Sequence, residues 1–344
     1  MDASRQPPVP VIGLDLGGAN IKAALVHGDG RVEIVSEPFE VWRRPEAMAD
    51  VIADVVGRLG DGDAAVAMTT TAELVDVFAT KREGVLYILE AARQALSQRR
   101  LRIITTEGEL IGFEEAAAAP LRCAAANWMA TAMLIARSLP DAILVDCGGT
   151  TTDVIPILAG EVAALGRTDV ERLLACELVY TGALRTNIAA VLSHVPIGGR
   201  PCPVSSELFA ISADAHLLRG SLTRDQCACS FPDGRGTSPR EVRSRLARVV
   251  CADPDQLADG DLEAIAAAVE EAQIASITAA LARVAQRLPT PAPVAALGVG
   301  AFLARAAAQR CGLRVELKTG ALSQLGGSGA DLAPAVALSV LSRE

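Results

Sequence analysis

An Asp-x-Gly-Gly turn set between two apolar runs occurs twice in this chain, and few folds accommodate both copies. The first copy is Val11-Ile12-Gly13-Leu14-Asp15-Leu16-Gly17-Gly18-Ala19-Asn20-Ile21-Lys22, and the second is Ile143-Leu144-Val145-Asp146-Cys147-Gly148-Gly149-Thr150-Thr151-Thr152-Asp153-Val154. Each reads as a strand, a tight glycine turn and a returning antiparallel strand. Glycine permits positive φ and close approach of a ligand to the backbone, so the N–H groups of such a turn can face phosphate oxygens. Asp15 and Asp146 lead the two turns, where the divalent cation that accompanies a polyphosphate would be met. One Gly-Gly pair is an ordinary hairpin closure. Two copies that share the leading Asp, with Asn20 in one and Thr150 and Thr151 in the other, point instead to a duplicated phosphate cradle. Facing one another across a central cleft, they would hold a polyphosphate from both sides.

A chain of 344 residues is long for a single core. Two domains are expected, at residues 1–140 and 141–344, the second carrying an irregular Pro/Gly/Cys-rich insertion over Pro196–Gly236 and a C-terminal helix. Apolar residues make up 51% but aromatics only 3%, which favours closely packed, alanine-rich helices. The formal charge of −9 argues against a general nucleic-acid or anionic-membrane surface. Met1–Val9 lacks the regions of a signal peptide, and no apolar run reads as long and unbroken enough to span a bilayer, so a cytoplasmic location is expected. The eight cysteines are mostly scattered singly, as buried reduced thiols are. Cys227 and Cys229 form the one close pair, and the second cluster that structural zinc normally needs is missing.

Periodicity places strands at Pro10–Asp15, Ile21–Val26, Val32–Ser36, Ala64–Met68 and Leu101–Thr105, with helices at Pro45–Leu59 and Gly84–Gln98. A long alanine-rich helix is expected over Glu114–Leu139, kinked or begun at Pro120. The second half repeats the plan. Strands are expected near Ala142–Asp146, Thr152–Leu158, Glu161–Ala164, Val294–Leu297 and Arg314–Leu317. Helices are expected around Asp169–Ala175, Pro239–Val249, Asp261–Leu288, Phe302–Arg310 and Asp331–Arg343.

The two hairpins resemble the phosphate loops of the actin, sugar kinase and Hsp70 superfamily, an α/β ribonuclease H-like fold of duplicated domains around a cleft. Val294-Ala295-Ala296-Leu297-Gly298-Val299-Gly300-Ala301 resembles its adenosine loop, which assigns Gly298 and Gly300 to phosphate or nucleotide contact. Three further segments narrow the likeness: Thr69-Thr-Thr71-Ala-Glu73-Leu-Val-Asp76 with Lys81-Arg-Glu-Gly84; Ala124-Ala-Ala-Asn127-Trp128; and Tyr180-Thr181-Gly182-Ala-Leu184-Arg185-Thr186. They resemble the hydantoinase/oxoprolinase-like proteins linked to tetrahydromethanopterin-dependent one-carbon transfer, over Val11 to the C-terminus.

That resemblance implies a transferase of methanofuran or methylofuran biosynthesis. Such an enzyme joins an aminomethyl-furanmethanol diphosphate to the phenol of tyrosine or (γ-glutamyl)tyramine, forming an aryl ether and releasing diphosphate. The furan ring delocalises the cation left as diphosphate departs. Gly17, Gly18, Ala19, Asn20, Gly148, Gly149, Thr150 and Thr151 would supply donors to the leaving group. Asp15, Asp146 or Asp153 would position Mg2+, directly or through water, with Asp15 and Asp146 the candidate ligands, and Lys22 would add positive charge. Glu73 or Asp76 would serve as the phenol base, although either could instead cap the helix that follows. Thr71, Asp76, Asn127, Trp128, Tyr180, Thr181 and Arg185 are candidates for substrate binding, Arg185 through a carboxylate fork. ATP suits such loops but is not expected to be consumed. The partners are small molecules, with a homodimer left open.

The alternatives are an ATP-dependent hydantoinase/oxoprolinase-type amide hydrolase, a small-molecule kinase, and a non-enzymatic actin- or Hsp70-like nucleotide switch. Where sugar kinases carry a segment with a catalytic aspartate, this chain reads Ala125-Ala126-Asn127-Trp128, which disfavours sugar phosphorylation.

Overall fold

The structure is a computed structural model that describes residues 10–343 apart from 61, 63, 228, 317–321 and 323–331. The strands are β1 (Val11–Leu16), β2 (Asn20–Val26), β3 (Val32–Pro38), β4 (Ala65–Thr70), β5 (Leu101–Ile104), β6 (Leu110–Ile111), β7 (Ala142–Cys147), β8 (Thr152–Leu158), β9 (Glu161–Val162), β10 (Leu178–Val179), β11 (His194–Ile197), β12 (Arg200–Pro203) and β13 (Val294–Leu297). The helices are α1 (Met48–Gly57), α2 (Lys81–Ala95), α3 (Phe113–Ala118), α4 (Asn127–Ala136), α5 (Asp169–Leu174), α6 (Ile188–Val191), α7 (Ser212–Arg219), α8 (Pro239–Arg248), α9 (Asp259–Ala285), α10 (Ala301–Arg310) and a C-terminal helix, Ala333–Leu341.

The chain divides into two compact units. One comprises the described residues of 1–142, 157–172 and 317–344; the other comprises 143–156 and 173–316. The division therefore does not fall at a single point near residue 140: the C-terminal helix and the excursion through β9 and most of α5 belong with the first unit.

The sequence repeat reappears as a repeat of sheet order. The first sheet runs β3-β2-β1-β4-β5-β6 and the second β10-β8-β7-β13, with β9 on β8. In each, the strand leading into the glycine turn lies between its hairpin partner and a strand parallel to it, β4 beside β1 and β13 beside β7. β1 and β7 are buried along their whole length, as central strands covered on both faces are.

The two faces of the first sheet bury different things. Ile12, Leu14 and Leu16 pack with Ile52 and Val55 of α1 and Ile88 and Leu89 of α2 in one apolar core. On the other face Gly13 lies abreast of Ala24 and Ala67, a row of minimal side chains across three strands. The C-terminal helix seats there so closely that a Cβ on Gly13 would stand 1.8 Å from the Ala335 carbonyl oxygen. Ser339 ties it down, its hydroxyl donating to the Val11 carbonyl at 2.7 Å and accepting from the Val26 N–H at 2.9 Å.

Several boundaries depart from the periodicity. α2 begins at Lys81 rather than Gly84, because the Thr80 hydroxyl accepts from the Glu83 N–H and so caps the helix three residues earlier. The expected helix over Glu114–Leu139 is not continuous: α3 ends at Ala118, a 3-10 turn covers Pro120–Cys123, and Ala125 takes φ +50° before α4. The segment Pro196–Gly236 is more regular than its composition suggests, since the β11–β12 hairpin reaches into it and α7 packs on α9. There the buried Arg245 of α8 donates to Asp214 of α7 at 2.8 Å. The expected strand at Arg314–Leu317 is reduced to a bridge between Val315 and Val294. Leu317 and Asp331 lie outside the described residues, as does Ala228 between Cys227 and Cys229. No disulfide joins any of the eight cysteines. α9 reaches the length and apolar content of a membrane span, yet the buried Gln273 sits at its middle, hydrogen-bonded to protein groups.

Candidate functional site

Both turns close in the same way. The Gly17 N–H donates to the Asn20 carbonyl at 3.0 Å, and the Gly148 N–H donates to the Thr151 carbonyl at 2.9 Å. All four residues of each turn are half-buried. None of Gly17, Gly18, Gly148 or Gly149 uses the left-handed region, so the conformational freedom expected of them is not drawn on. Close packing is the tighter constraint at Gly18, where a Cβ would stand 2.9 Å from Val75.

In the first hairpin, Asp15 lies directly opposite Lys22 on β2 and abreast of Thr69 on β4. Directly opposed residues bring their side chains within reach on one face. Asp15 and Thr69 are buried and Lys22 half-buried. The segment leaving β4 is stitched to the turn: the Thr71 N–H donates to the Leu16 carbonyl at 3.0 Å, and the Thr70 hydroxyl to the same oxygen at 3.3 Å. The Gly18 and Ala19 carbonyls accept from the Val41 and Phe39 N–H groups, which fixes the loop backbone. Asn20 Oδ1 and Thr69 Oγ1 are buried without a hydrogen-bond partner among the described residues. Buried polar atoms left in that state call for an occupant that satisfies them.

The second hairpin is built into its unit from two sides. The Gly300 N–H donates to the Cys147 carbonyl at 2.8 Å. Gly298 takes φ +85°, and a Cβ there would stand 2.2 Å from the same oxygen and 2.6 Å from Asp146 Oδ1. The third glycine loop thus lies directly against the Asp146 carboxylate. From the other side, the N–H groups of Leu184 and Arg185 both donate to the Gly149 carbonyl and that of Ala183 to Gly148. The Tyr180–Thr186 motif is therefore a buttress for the turn. Its buried Thr181 hydroxyl accepts from Gln273 Nε2 at 2.8 Å and lies 3.2 Å from the Thr186 hydroxyl. Gln273 also meets His216, whose Nδ1 lies 3.4 Å from Glu270, and Glu270 is held down to about 2, first by that neighbouring imidazole. Tyr180 and Arg185 are exposed at the edge of this buttress.

The two hairpins differ in charge. Asp153 follows Asp146 at the same interval at which Lys22 follows Asp15, so the second hairpin carries two buried carboxylates where the first carries a carboxylate opposite an ammonium. Among the described residues no three His, Cys, Asp or Glu side chains gather around one point. Two hard carboxylate donors still fit Mg2+, which characteristically takes one or two protein carboxylates and fills its remaining positions with water and phosphate oxygens.

Glu73 is a strongly perturbed acid of the first unit. It sits on the loop leaving β4, two residues beyond Thr71, and burial pushes its carboxyl up to about 7, against the lowering effect of Lys81. Its Oε1 lies 3.9 Å from Lys81 Nζ, and its Oε2 accepts from the Thr70 hydroxyl at 3.5 Å. Lys81 in turn donates to Asp169 at 2.5 Å. Asp169 lies 3.7 Å from Arg172, whose buried guanidinium stacks over Trp128 at 4.5 Å. Trp128 is buried beneath that cation, its ring covered by packing, whereas Asn127 is half-buried at the start of α4 and Asp76 is exposed. The end of β4 also bridges Ala124, which brings the Asn127 segment alongside Thr70. Sequence reasoning assigned no role to Thr69, Lys81, Asp169, Arg172 or Gln273. Lys81 stood within a quoted motif, but Asp169, 88 residues away, carried no local signal.

The family model for hydantoinase/oxoprolinase matches residues 64–340. A protein of Methanocaldococcus jannaschii named (4-{4-[2-(gamma-L-glutamylamino)ethyl]phenoxymethyl}furan-2-yl)methanamine synthase is 36% identical over 255 residues, which cover 74% of this chain and 75% of that protein. Among solved structures, nucleotide-free acetone carboxylase aligns with a TM-score of 0.56 at 12% identity, covering 95% of this chain and 70% of that one. A chain of the PilM–PilN type IV pilus biogenesis complex aligns with a TM-score of 0.52 at 14% identity, covering 98% and 100%. With the repeated sheet order, these likenesses identify the fold as the actin, sugar kinase and Hsp70-like α/β architecture.

Proposed function

Because the chain belongs to the hydantoinase/oxoprolinase family, we propose that it is a cytoplasmic transferase that makes an aryl ether. Its substrates are an aminomethyl-furanmethanol diphosphate and the phenol of tyrosine or (γ-glutamyl)tyramine, and its second product is diphosphate. The observation that carries this reading is the 36% identity to the furan-methanamine synthase over three quarters of each chain. The hairpins support it, because a turn built to meet phosphate oxygens serves a diphosphate leaving group as well as a nucleotide.

In this mechanism the bond between the furfuryl carbon and the diphosphate oxygen breaks, and the electron pair leaves with the diphosphate. The phenol oxygen forms the new bond to that carbon, and its proton passes to the Glu73 carboxylate. Backbone N–H groups of a glycine turn, Gly17–Asn20 in the first unit or Gly148–Thr151 in the second, donate to the departing oxygens, where preorganised donors contribute most. Lys22 adds positive charge to the first turn. Asp146, with Asp153 beside it on the same hairpin, would hold Mg2+ in the second unit, and Asp15, opposite Lys22, would be the donor in the first. Magnesium, when bound, neutralises charge as it accumulates on the diphosphate. A carboxyl held near 7 is matched to proton transfer at neutral pH. Thr71, Asp76 and Asn127 in the first unit, or Tyr180 and Arg185 in the second, are left as contacts for the phenolic substrate. Trp128 acts instead through packing and Thr181 through hydrogen bonds within its own unit.

The test incubates the purified chain with the furan diphosphate, Mg2+ and each phenolic compound, with and without ATP, and measures ether product by mass spectrometry. Ether formation without ATP, with diphosphate as a product inhibitor, is expected. Phosphate released from ATP in step with turnover, or complete dependence on ATP, would refute the synthase reading in favour of an amide hydrolase, a kinase or a nucleotide switch.

A further inference from the structure

Lys81 occupies the first position of α2, where a cation is disfavoured because the helix N-terminus already carries partial positive charge. The cap itself is made by Thr80 and Glu83, so helix formation does not account for a lysine there. What Lys81 does is bridge two carboxylates that are far apart in sequence. Its ammonium donates to Asp169 Oδ2 at 2.5 Å and stands 3.9 Å from Glu73 Oε1, too far for a hydrogen bond but close enough for a strong charge interaction. Asp169 is held from its other side by the buried Arg172 at 3.7 Å. The result is an alternating row of Glu73, Lys81, Asp169 and Arg172 within one unit, which begins at the loop packed on Gly17 and Gly18.

We propose that Lys81 and Asp169 are positioning residues that set the proton affinity of Glu73, with Lys81 favouring the carboxylate and Asp169 restraining Lys81. The inference rests on the ether-synthase reading for its purpose, since that reading makes Glu73 the acceptor of the phenol proton. Its physics stands apart from that reading. Lys81, at the start of α2, and Asp169, on α5, are the charged side chains acting on Glu73, and the Thr70 hydroxyl at the end of β4 is the neutral one. Burial alone would leave the carboxyl neutral at physiological pH, and a full unopposed ammonium would leave it ionised and weakly basic. A lysine shared with a second carboxylate gives an intermediate state, in which Glu73 can accept a proton in one step and return it in the next.

The arrangement requires opposite responses from the two residues. Removing the lysine charge should raise the Glu73 midpoint. Removing the Asp169 charge should lower it, because Lys81 then acts on Glu73 without competition. A merely structural loss, such as loosening of α2 against α5, would admit water and move both variants the same way.

The experiment titrates the full-length chain labelled with 13C at the glutamate carboxyl, with the Glu73 resonance identified by its absence in Glu73→Gln. Lys81→Met should move the midpoint up and Asp169→Asn should move it down, each by about one pH unit, the lower end for a charge within about 4–6 Å of a carboxylate. Lys81→Arg keeps the charge and should stay near wild type. Lys81→Gln serves if the Met variant fails to fold. Midpoints that do not move, or that move together, overturn the proposal. The pH–rate profile for ether formation should shift with the same signs. A chain that shows the opposed midpoints but makes no ether would retain the relay and lose the synthase reading; one that makes ether without the opposed midpoints would do the reverse.

Discussion

Replacing Glu73 by Gln tests whether the carboxyl is truly held near neutrality, because such a group must cost the protein stability. In the unfolded chain Glu73 titrates near its ordinary 4.5, and burial in the fold pushes it up to about 7. Between these values the folded state holds a proton that the unfolded state has released, so stability falls as pH rises through that window. Below pH 4.5 both states are protonated and the penalty is absent; above pH 7 it is complete. At about 1.4 kcal/mol per pH unit, the separation corresponds to about 3 kcal/mol. Gln is nearly isosteric and does not titrate. Whatever its amide costs beside Lys81 is a constant offset, so the readout is the change with pH of the difference between variant and wild type. Urea unfolding from pH 4.5 to pH 8 measures it, followed by tryptophan fluorescence, because both tryptophans, Trp42 and Trp128, lie in the unit that contains Glu73. The variant should gain on wild type by about 3 kcal/mol across the range. Parallel stability curves would show that Glu73 titrates normally in the fold, and the reasoning about the base would fall with them. The predicted gain also belongs to a general pattern, in which groups tuned for chemistry are retained at the expense of stability.

The remaining predictions concern the two hairpins and their supports. Gly13→Ala places a methyl 1.8 Å from the Ala335 carbonyl and should lower stability by roughly 3 kcal/mol or more as the C-terminal helix is displaced, whereas Gly57→Ala, with nothing within 4 Å, should stabilise α1 by roughly 0.5–1 kcal/mol. Thermal unfolding should separate the two variants in opposite directions, and equal losses would refute the close-seating argument. Gly298→Ala combines a left-handed backbone with a contact of 2.2 Å to Cys147 and should destabilise the unit that carries the second hairpin, measured as a lowered melting temperature. Asp15→Asn and Asp146→Asn should reduce turnover at limiting Mg2+ by far more than they change the melting temperature, with Asp146→Asn the more severe. Near-normal turnover in both would remove the metal role.

Much of the fold was legible because its signals are local. Each hairpin is specified within twelve consecutive residues, and its closing bond, Gly17 to Asn20 or Gly148 to Thr151, spans three. The strands and most helices followed from apolar spacing for the same reason. Errors arose where a single residue overrode the period: the Thr80 cap moved the start of α2, and the left-handed turn at Ala125 divided what reads as one alanine-rich helix. α7 was hidden because a composition rich in Pro, Gly and Cys masks the helical pitch of a short segment, while Asp214 and Arg245 supply its anchor from within the core.

The candidate site was only half legible. Residue types and their order singled out the two glycine turns, their leading aspartates and Glu73 as candidates, since backbone geometry and side-chain chemistry are properties of short segments. Tertiary structure alone decided what those groups are worth. The proton affinity of Glu73 depends on how completely the chain buries it and on an ammonium shared with Asp169, 88 residues from Lys81. Gly13 is required by a helix whose Ser339 closes a contact 313 residues from Val26. Thr181 became a buttress through Gln273, 92 residues on. Electrostatics and packing act through space over a few ångströms, and one sequence does not record which distant residues the fold brings within that distance.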